Sequence, residues 1–136
     1  MILGIGNDLC QVERMAGTIQ RFGQRFLDRA FTQAEQALAQ HRPEPHVFFA
    51  GRFAAKEACL KALGSGLIED MHLTDIEILA APSGQPVLTI SGAALAQLRR
   101  LAGQARETAV HVSISHDGRL ATAQVILEAR PESGGS

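Results

Sequence analysis

The stretch FAAKEACLKALGSG, Phe53 to Gly66, constrains the fold more than any other part of the chain. It reads as the second half of a long helix from His46 to Leu63, with Gly64 placed to cap it. Apolar residues run almost all the way round this helix, so it belongs inside a domain and not on its surface. Either a sheet wraps it or a neighbouring subunit covers it. Yet it carries Lys56, Glu57 and Lys61. Charges in a buried helix must be paired, bound to a metal, or turned toward a cleft.

The flanking pattern says what surrounds the helix. Met1 to Ile5 is a short apolar run ended by Gly6-Asn7-Asp8, which reads as a strand entering a turn. From about Gln11 to Ala30 the chain is helical in pattern, with Met15, Ile19, Phe22 and Phe26 on one stripe and Gly23 as a breakpoint. Thr32 and Glu35 form a capping box for a further helix, and HRPEP is a loop. Thr74 to Leu79 and Val87 to Ile90 read as strands joined by the turn APSGQP. Ser91 caps a helix from Gly92 to about Ala102. Val110 to His116 alternates, with Val110, Val112 and Ile114 on one face and His111, Ser113 and Ser115 on the other. Asp117-Gly118 turns it into a return strand, Arg119 to Glu128. The prediction is an α+β domain over residues 1–129, a largely antiparallel sheet wrapped around a long central helix, with a disordered tail over 130–136.

Composition removes several function classes. A net charge of −1 and the absence of Trp and Tyr argue against a nucleic-acid reader, which needs basic and stacking surfaces. No stretch approaches a membrane span, and the N-terminus lacks a signal-peptide pattern. The two cysteines, Cys10 and Cys59, sit in apolar runs as buried thiols and make no disulfide framework. The expected location is the cytoplasm.

The chemistry lies in combinations. Taken alone, Glu57 and Lys61 are a solvated i,i+4 pair worth about 0.2–0.5 kcal/mol. Asp8 alone is a turn or N-cap aspartate. Together, a carboxylate at the end of a strand and a carboxylate on a buried helix suit a hard divalent cation, with lysines left to neutralise phosphate oxygens. SISHDGRLATA is not a serine hydrolase motif, because Ser115 and His116 point to opposite faces of a strand and no nucleophile elbow surrounds them. Arg14, Arg21 and Arg25 share one face if their helix is continuous, and the face carries little acid. Such a stripe suits an acidic helical partner.

Three segments, GIGNDLCQVERM, GRFAAKEACLKALGSG and VHVSISHDGRLATAQVILE, resemble in order and spacing the holo-acyl-carrier-protein synthases, the small phosphopantetheinyl transferases. The similarity runs over nearly the whole chain short of the tail. The resemblance implies Mg²⁺-dependent transfer of the 4′-phosphopantetheine arm of coenzyme A to a serine of apo-acyl carrier protein. Adenosine 3′,5′-bisphosphate would be released, in the service of fatty-acid or related biosynthesis. It implies Asp8 and Glu57 as metal ligands, and Lys61 beside them on the phosphate as a third catalytic group. Glu57 or a metal-bound water would take the serine proton. It places coenzyme A near Arg52, Lys56, Lys61, Gly64, Ser65, Gly66, Gly84, Pro86 and His116, and the acidic carrier on Arg14, Arg21 and Arg25. It also implies a homotrimer with active sites between subunits. Ser65 stands where many members have threonine, Gln85 where lysine is common, and Cys10 where an aliphatic residue is usual. Two other readings of the same residues are a non-catalytic module that binds acyl carrier protein, and a Mg²⁺-dependent phosphohydrolase. The phosphohydrolase is disfavoured because no further acidic cluster supplies a second metal site.

Overall fold

A computed structural model describes residues 1–68, 70–105 and 107–131. The elements in order are β1 (Ile2–Gln11), α1 (Val12–Phe22), α2 (Gln24–Ala30), α3 (Gln33–Ala39) and α4 (Pro45–Leu63). A 3₁₀ turn at Leu73–Asp75 leads into β2 (Ile76–Ala80), followed by β3 (Pro86–Ile90), α5 (Gly92–Ala102), β4 (Glu107–His116) and β5 (Leu120–Arg130). Three strands form an antiparallel sheet in the order β1-β5-β4, and β2 pairs with β3 in a second, two-stranded sheet. The fold is α+β, as the alternating and helical patterns imply. The expected tail enters only at its start, since β5 runs to Arg130 and residues 132–136 lie outside the described residues.

The long helix is the centre of the molecule. Twelve of its nineteen residues are buried within this one chain. Val125, Leu127 and Ala123 from β5, Ile76 and Ile78 from β2, and Ala94 and Leu98 from α5 close over its second half. Phe31, Val12, Met15 and Ala121 close over its first half around Phe48 and Phe49. A neighbouring subunit is not needed to cover α4. Apolar side chains left open lie elsewhere, among them Ile5 and Leu9 on the outer face of the three-stranded sheet.

The largest correction concerns the N-terminus. Gly6, Asn7 and Asp8 form no turn; β1 continues through them to Gln11, paired with β5 from Ile2↔Glu128 to Gln11↔Leu120. The glycines serve a helix contact instead. A Cβ on Gly4 would lie 1.9 Å from the Ala62 carbonyl oxygen, and one on Gly6 would lie 1.9 Å from that of Ala58. Strand and helix backbones approach so closely that no side chain fits between them. Period-two alternation then puts Asp8 on the same inward face as Gly4 and Gly6. The spacing G-x-G-x-D is therefore a device for pressing β1 onto α4 and presenting a carboxylate to it.

Other boundaries follow the predicted chemistry. Thr32 and Glu35 make the capping box in both directions. Gly64 caps α4 at φ 78°, in the left-handed region. Gly23, at φ 58°, separates α1 from α2, so the basic helix is two pieces.

Candidate active site

Asp8 is brought to α4 by β1. Its Oδ1 accepts from Lys61 Nζ at 2.9 Å, and the same ammonium donates to the Asn7 carbonyl at 3.1 Å. Lys61 stands one helical turn beyond Glu57 on the same face of α4, and the charges of Asp8 and Lys61 both act on the Glu57 carboxyl. Partial burial pushes the Glu57 carboxyl above its ordinary range; the Asp8 charge adds to the rise, and Lys61 opposes it. A half-buried carboxyl whose charged form is disfavoured by a neighbouring carboxylate is a site that a cation would relieve. The oxygen donors of Asp8 and Glu57 suit Mg²⁺ or Mn²⁺, which keep open positions for water and phosphate. Among the described residues no group of three or more His, Cys, Asp or Glu gathers as a fuller metal cage.

A second feature is a cleft of about 210 Å³ toward the other end of α4, lined by Arg42, Phe48, Gly51, Arg52, Ile114 and His116 among others. The Arg52 guanidinium lies over the Phe48 ring at 4.2 Å, and that of Arg42 at 5.1 Å. Arg52 Nε is buried with no hydrogen-bond partner. Burial and the neighbouring Arg42 charge lower Arg52 to about 10, against the pull of Glu35. It stays charged at neutral pH, and a buried unpaired donor beside a second cation suits an anion. The β4 alternation that turns Val110, Val112 and Ile114 inward carries His116 to this cleft. Arg42 was not singled out in the sequence, because it sits in HRPEP, whose prolines mark only a loop.

One predicted contact is not available. Lys56 was placed on coenzyme A by resemblance, but its side chain is fully buried on the far side of α4 from the sheet. Its Nζ pairs with Glu35 Oε1 at 2.8 Å and donates to the carbonyls of Leu73 and Ile76. An ammonium has three hydrogens, and all three are engaged. It has none to offer a phosphate.

The remaining predicted residues fall in three places. Gly64, Ser65 and Gly66 form the turn directly after α4, with Gly64 and Gly66 both at positive φ and Ser65 Oγ donating to the Gly66 carbonyl at 3.0 Å. The last carbonyl of α4, on Leu63, accepts from Gln97 Nε2 at 3.1 Å, a tie from α5 that no sequence pattern marks. Gly84, at φ 89°, and Pro86 lie in the β2–β3 hairpin, on the smaller sheet and not on the one that carries Asp8. Arg14 and Arg21 are exposed on α1 and Arg25 on α2. The break at Gly23 ends the continuous stripe, but the bend brings Arg25 and Arg29 to a groove of about 220 Å³ with Thr18, Phe22 and Phe26. Arg21 itself lies over the Phe22 ring at 5.2 Å.

Comparison with known proteins shows the family to which the chain belongs. Residues 4–124 match the profile of the 4′-phosphopantetheinyl transferase superfamily. The chain is 42% identical over 132 residues to the holo-[acyl-carrier-protein] synthase of Caulobacter vibrioides, covering 97% of this chain and 99% of that one. It is 43% identical over 136 residues, the full length of both, to that of Methylorubrum populi. Its fold matches the crystal structure of the synthase from Neisseria meningitidis with a TM-score of 0.80 at 33% identity, over 94% of this chain and 99% of the other. It also matches the Bacillus anthracis enzyme in complex with CoA (3′,5′-ADP), with a TM-score of 0.76 at 35% identity, over 96% and 99%. The chain thus belongs to the 4′-phosphopantetheinyl transferase superfamily, among its holo-acyl-carrier-protein synthases.

Proposed function

We propose that this enzyme transfers the 4′-phosphopantetheine group of coenzyme A to a serine of apo-acyl carrier protein, releases adenosine 3′,5′-bisphosphate, and requires Mg²⁺. The observation that carries the reading is the Asp8–Lys61 pair at 2.9 Å, with Glu57 one helical turn before Lys61 and under the charge of both. The serine hydroxyl gives up its proton, to Glu57 or to solvent, as its oxygen bonds to the phosphorus that carries the pantetheine arm; the bond from that phosphorus to the bridging oxygen breaks, and that oxygen leaves with the adenosine 3′,5′-bisphosphate. Such a transfer depends on positioning and charge neutralisation. Asp8 and Glu57 would hold the cation, whose chemistry is to draw negative charge from the pyrophosphate oxygens. Lys61 exchanges its Asp8 partner for a phosphate oxygen when the cation and coenzyme A are bound. Arg42 and Arg52, with His116, receive a phosphate of the nucleotide half, and the orphaned Arg52 Nε supports this assignment. Gly64 to Gly66 and the hairpin at Gly84 and Pro86 are backbone walls for the same molecule.

The exposed arginines Arg14, Arg21 and Arg25 would dock the acidic carrier protein, with Phe22, 52% exposed, as an apolar contact among them. Ile5 and Leu9, 66% and 65% exposed, stand on the open face of the three-stranded sheet. Apolar side chains on an uncovered sheet face favour association, which supports a homotrimer packed through this face. No helix among the described residues is long and apolar enough to cross a membrane. We place the enzyme in the cytoplasm, in fatty-acid or related biosynthesis.

The test is intact-mass spectrometry of apo-acyl carrier protein after incubation with the enzyme, coenzyme A and Mg²⁺. The expected result is a gain of one phosphopantetheinyl group, abolished by a chelator. Asp8→Ala and Glu57→Ala should each slow the gain roughly 10²–10³-fold with the fold intact, the scale of losing one charge-stabilising group. Carrier binding without any mass gain would instead identify a non-catalytic binding module.

A further inference from the structure

The rotation of α4 about its own axis decides where Glu57 and Arg52 point. Ordinary surface helices are fixed in rotation by an apolar stripe, and α4 has none, being apolar nearly all round. Toward the sheet it offers small residues, with Ala58 and Ala62 against the backbone of β1 and Gly51 against Ile114 of β4. This contact sets how close the helix lies, and Phe48, Phe49, Leu60 and Leu63 in the two cores add to its placement.

On the other side, Lys56 lies roughly 160° round the axis from Ala58, at about 100° per residue. Its pair with Glu35 is closed to water, both side chains being 0% exposed. Both of its ends are engaged by other groups as well. Glu35 Oε1 accepts from the Thr32 amide at 2.9 Å as well as from Lys56, and Oε2 accepts from the Ile78 amide at 2.8 Å. Lys56 donates in turn to the Leu73 and Ile76 carbonyls. One helix position is thereby tied to α3, to the 3₁₀ turn and to β2. A buried ion pair is seldom more stabilising than well-packed apolar residues, and its best-attested use is to fix register in an otherwise apolar seam.

The consequence falls on the next residue. On a helix of about 5–6 Å outer radius, a turn of about 20° sweeps a side-chain end through roughly 2 Å. Catalytic groups need placement to about 0.5 Å. We propose that Glu35 and Lys56 are positioning residues, whose buried pair sets the rotational register of α4 and so aims Glu57 at Asp8 and Arg52 into its cleft. The inference rests on the reading of Asp8 and Glu57 as the cation site.

The test uses two variants, Glu35→Gln and the paired replacement Glu35→Leu with Lys56→Met, each measured where circular dichroism shows it folded. Binding of Mn²⁺ to the protein without coenzyme A is followed by the paramagnetic resonance signal of the free ion. The expected result is Mn²⁺ affinity lowered about 10–100-fold, as for residues that orient metal ligands. The rate constant for transfer should fall, while the Michaelis constant for the carrier protein, docked on α1 and α2, stays within twofold. Mn²⁺ affinity and transfer rate within twofold of wild type would overturn the proposal, even if the melting temperature dropped. If neither variant folded, the pair would be a folding determinant and the proposal would also fall. Glu57→Ala is the control. If it binds Mn²⁺ as well as wild type does, the cation-site reading has failed; if it does not, and the pair variants do, only the positioning role has failed.

Discussion

Two lysines five residues apart on α4 make ion pairs of nearly equal length and different consequence. Lys56 meets Glu35 at 2.8 Å with both side chains closed to solvent. Lys61 meets Asp8 at 2.9 Å with the lysine 56% exposed and the aspartate 21%. The first pair is closed, with both Glu35 oxygens and all three Lys56 hydrogens engaged within the chain. The second is open to solvent and lies within the charge influence of a further carboxylate, Glu57, so it can exchange partners. Bond length does not separate a structural pair from a reactive one; solvent access and the number of unused positions do.

That contrast can be broken by crossing the two sites. Lys56→Met should cost about 3–5 kcal/mol in urea unfolding, because it strands a buried carboxylate and two carbonyls. Lys61→Met should cost under about 1 kcal/mol, yet slow phosphopantetheine transfer by roughly 10²-fold. If Lys61→Met proved as destabilising as Lys56→Met, or left transfer unchanged, the division between the two pairs would be wrong.

A charge reversal sharpens the comparison at the surface. Arg14→Glu with Arg21→Glu should raise the Michaelis constant for carrier protein about tenfold or more at low salt and less at high salt, with little change in turnover. An unchanged Michaelis constant would remove the stripe from the docking surface.

The smallest expected effect is one of pH. The folded Glu57 carboxyl binds its proton more tightly than the unfolded one, since burial and Asp8 raise it. The native state without metal is therefore favoured below the ordinary carboxylate range, and loses that contribution as pH rises through the raised value. Glu57→Gln should melt higher than wild type at pH 7 in the presence of a chelator, with the advantage shrinking toward pH 4. Adding Mg²⁺ should raise the melting temperature of wild type and not of the variant. A variant melting no higher than wild type at pH 7 would show that Glu57 is not held in an unfavourable charged state.

Much of the fold was legible because local chemistry dictated it. The Thr32–Glu35 capping box, the left-handed Gly64, the Asp117-Gly118 hairpin and the alternation of β4 depend on neighbours in sequence, and each stands where its pattern puts it. The family motifs likewise single out Asp8, Glu57 and Lys61 as one group. The turn read into Gly6-Asn7-Asp8 failed for a non-local reason. Glycine signals a turn when the chain alone is considered, but here its missing side chain admits the backbone of a helix more than fifty residues away.

Lys56 shows the same boundary. The sequence determined that a lysine stands beside Glu57 on an apolar helix, and that Glu35 caps a short helix elsewhere. Only the tertiary structure decided that the capping carboxylate turns inward to meet that lysine, because the partner lies twenty-one positions along the chain and the choice between burying and exposing a charge depends on what packs around it. What the sequence determined by itself was the set of elements and the chemical kinds of side chain available. Which of two neighbouring charges is sealed in the core and which is left free to meet a phosphate was settled by packing, through the exclusion of water from one side of α4 and its admission at the other.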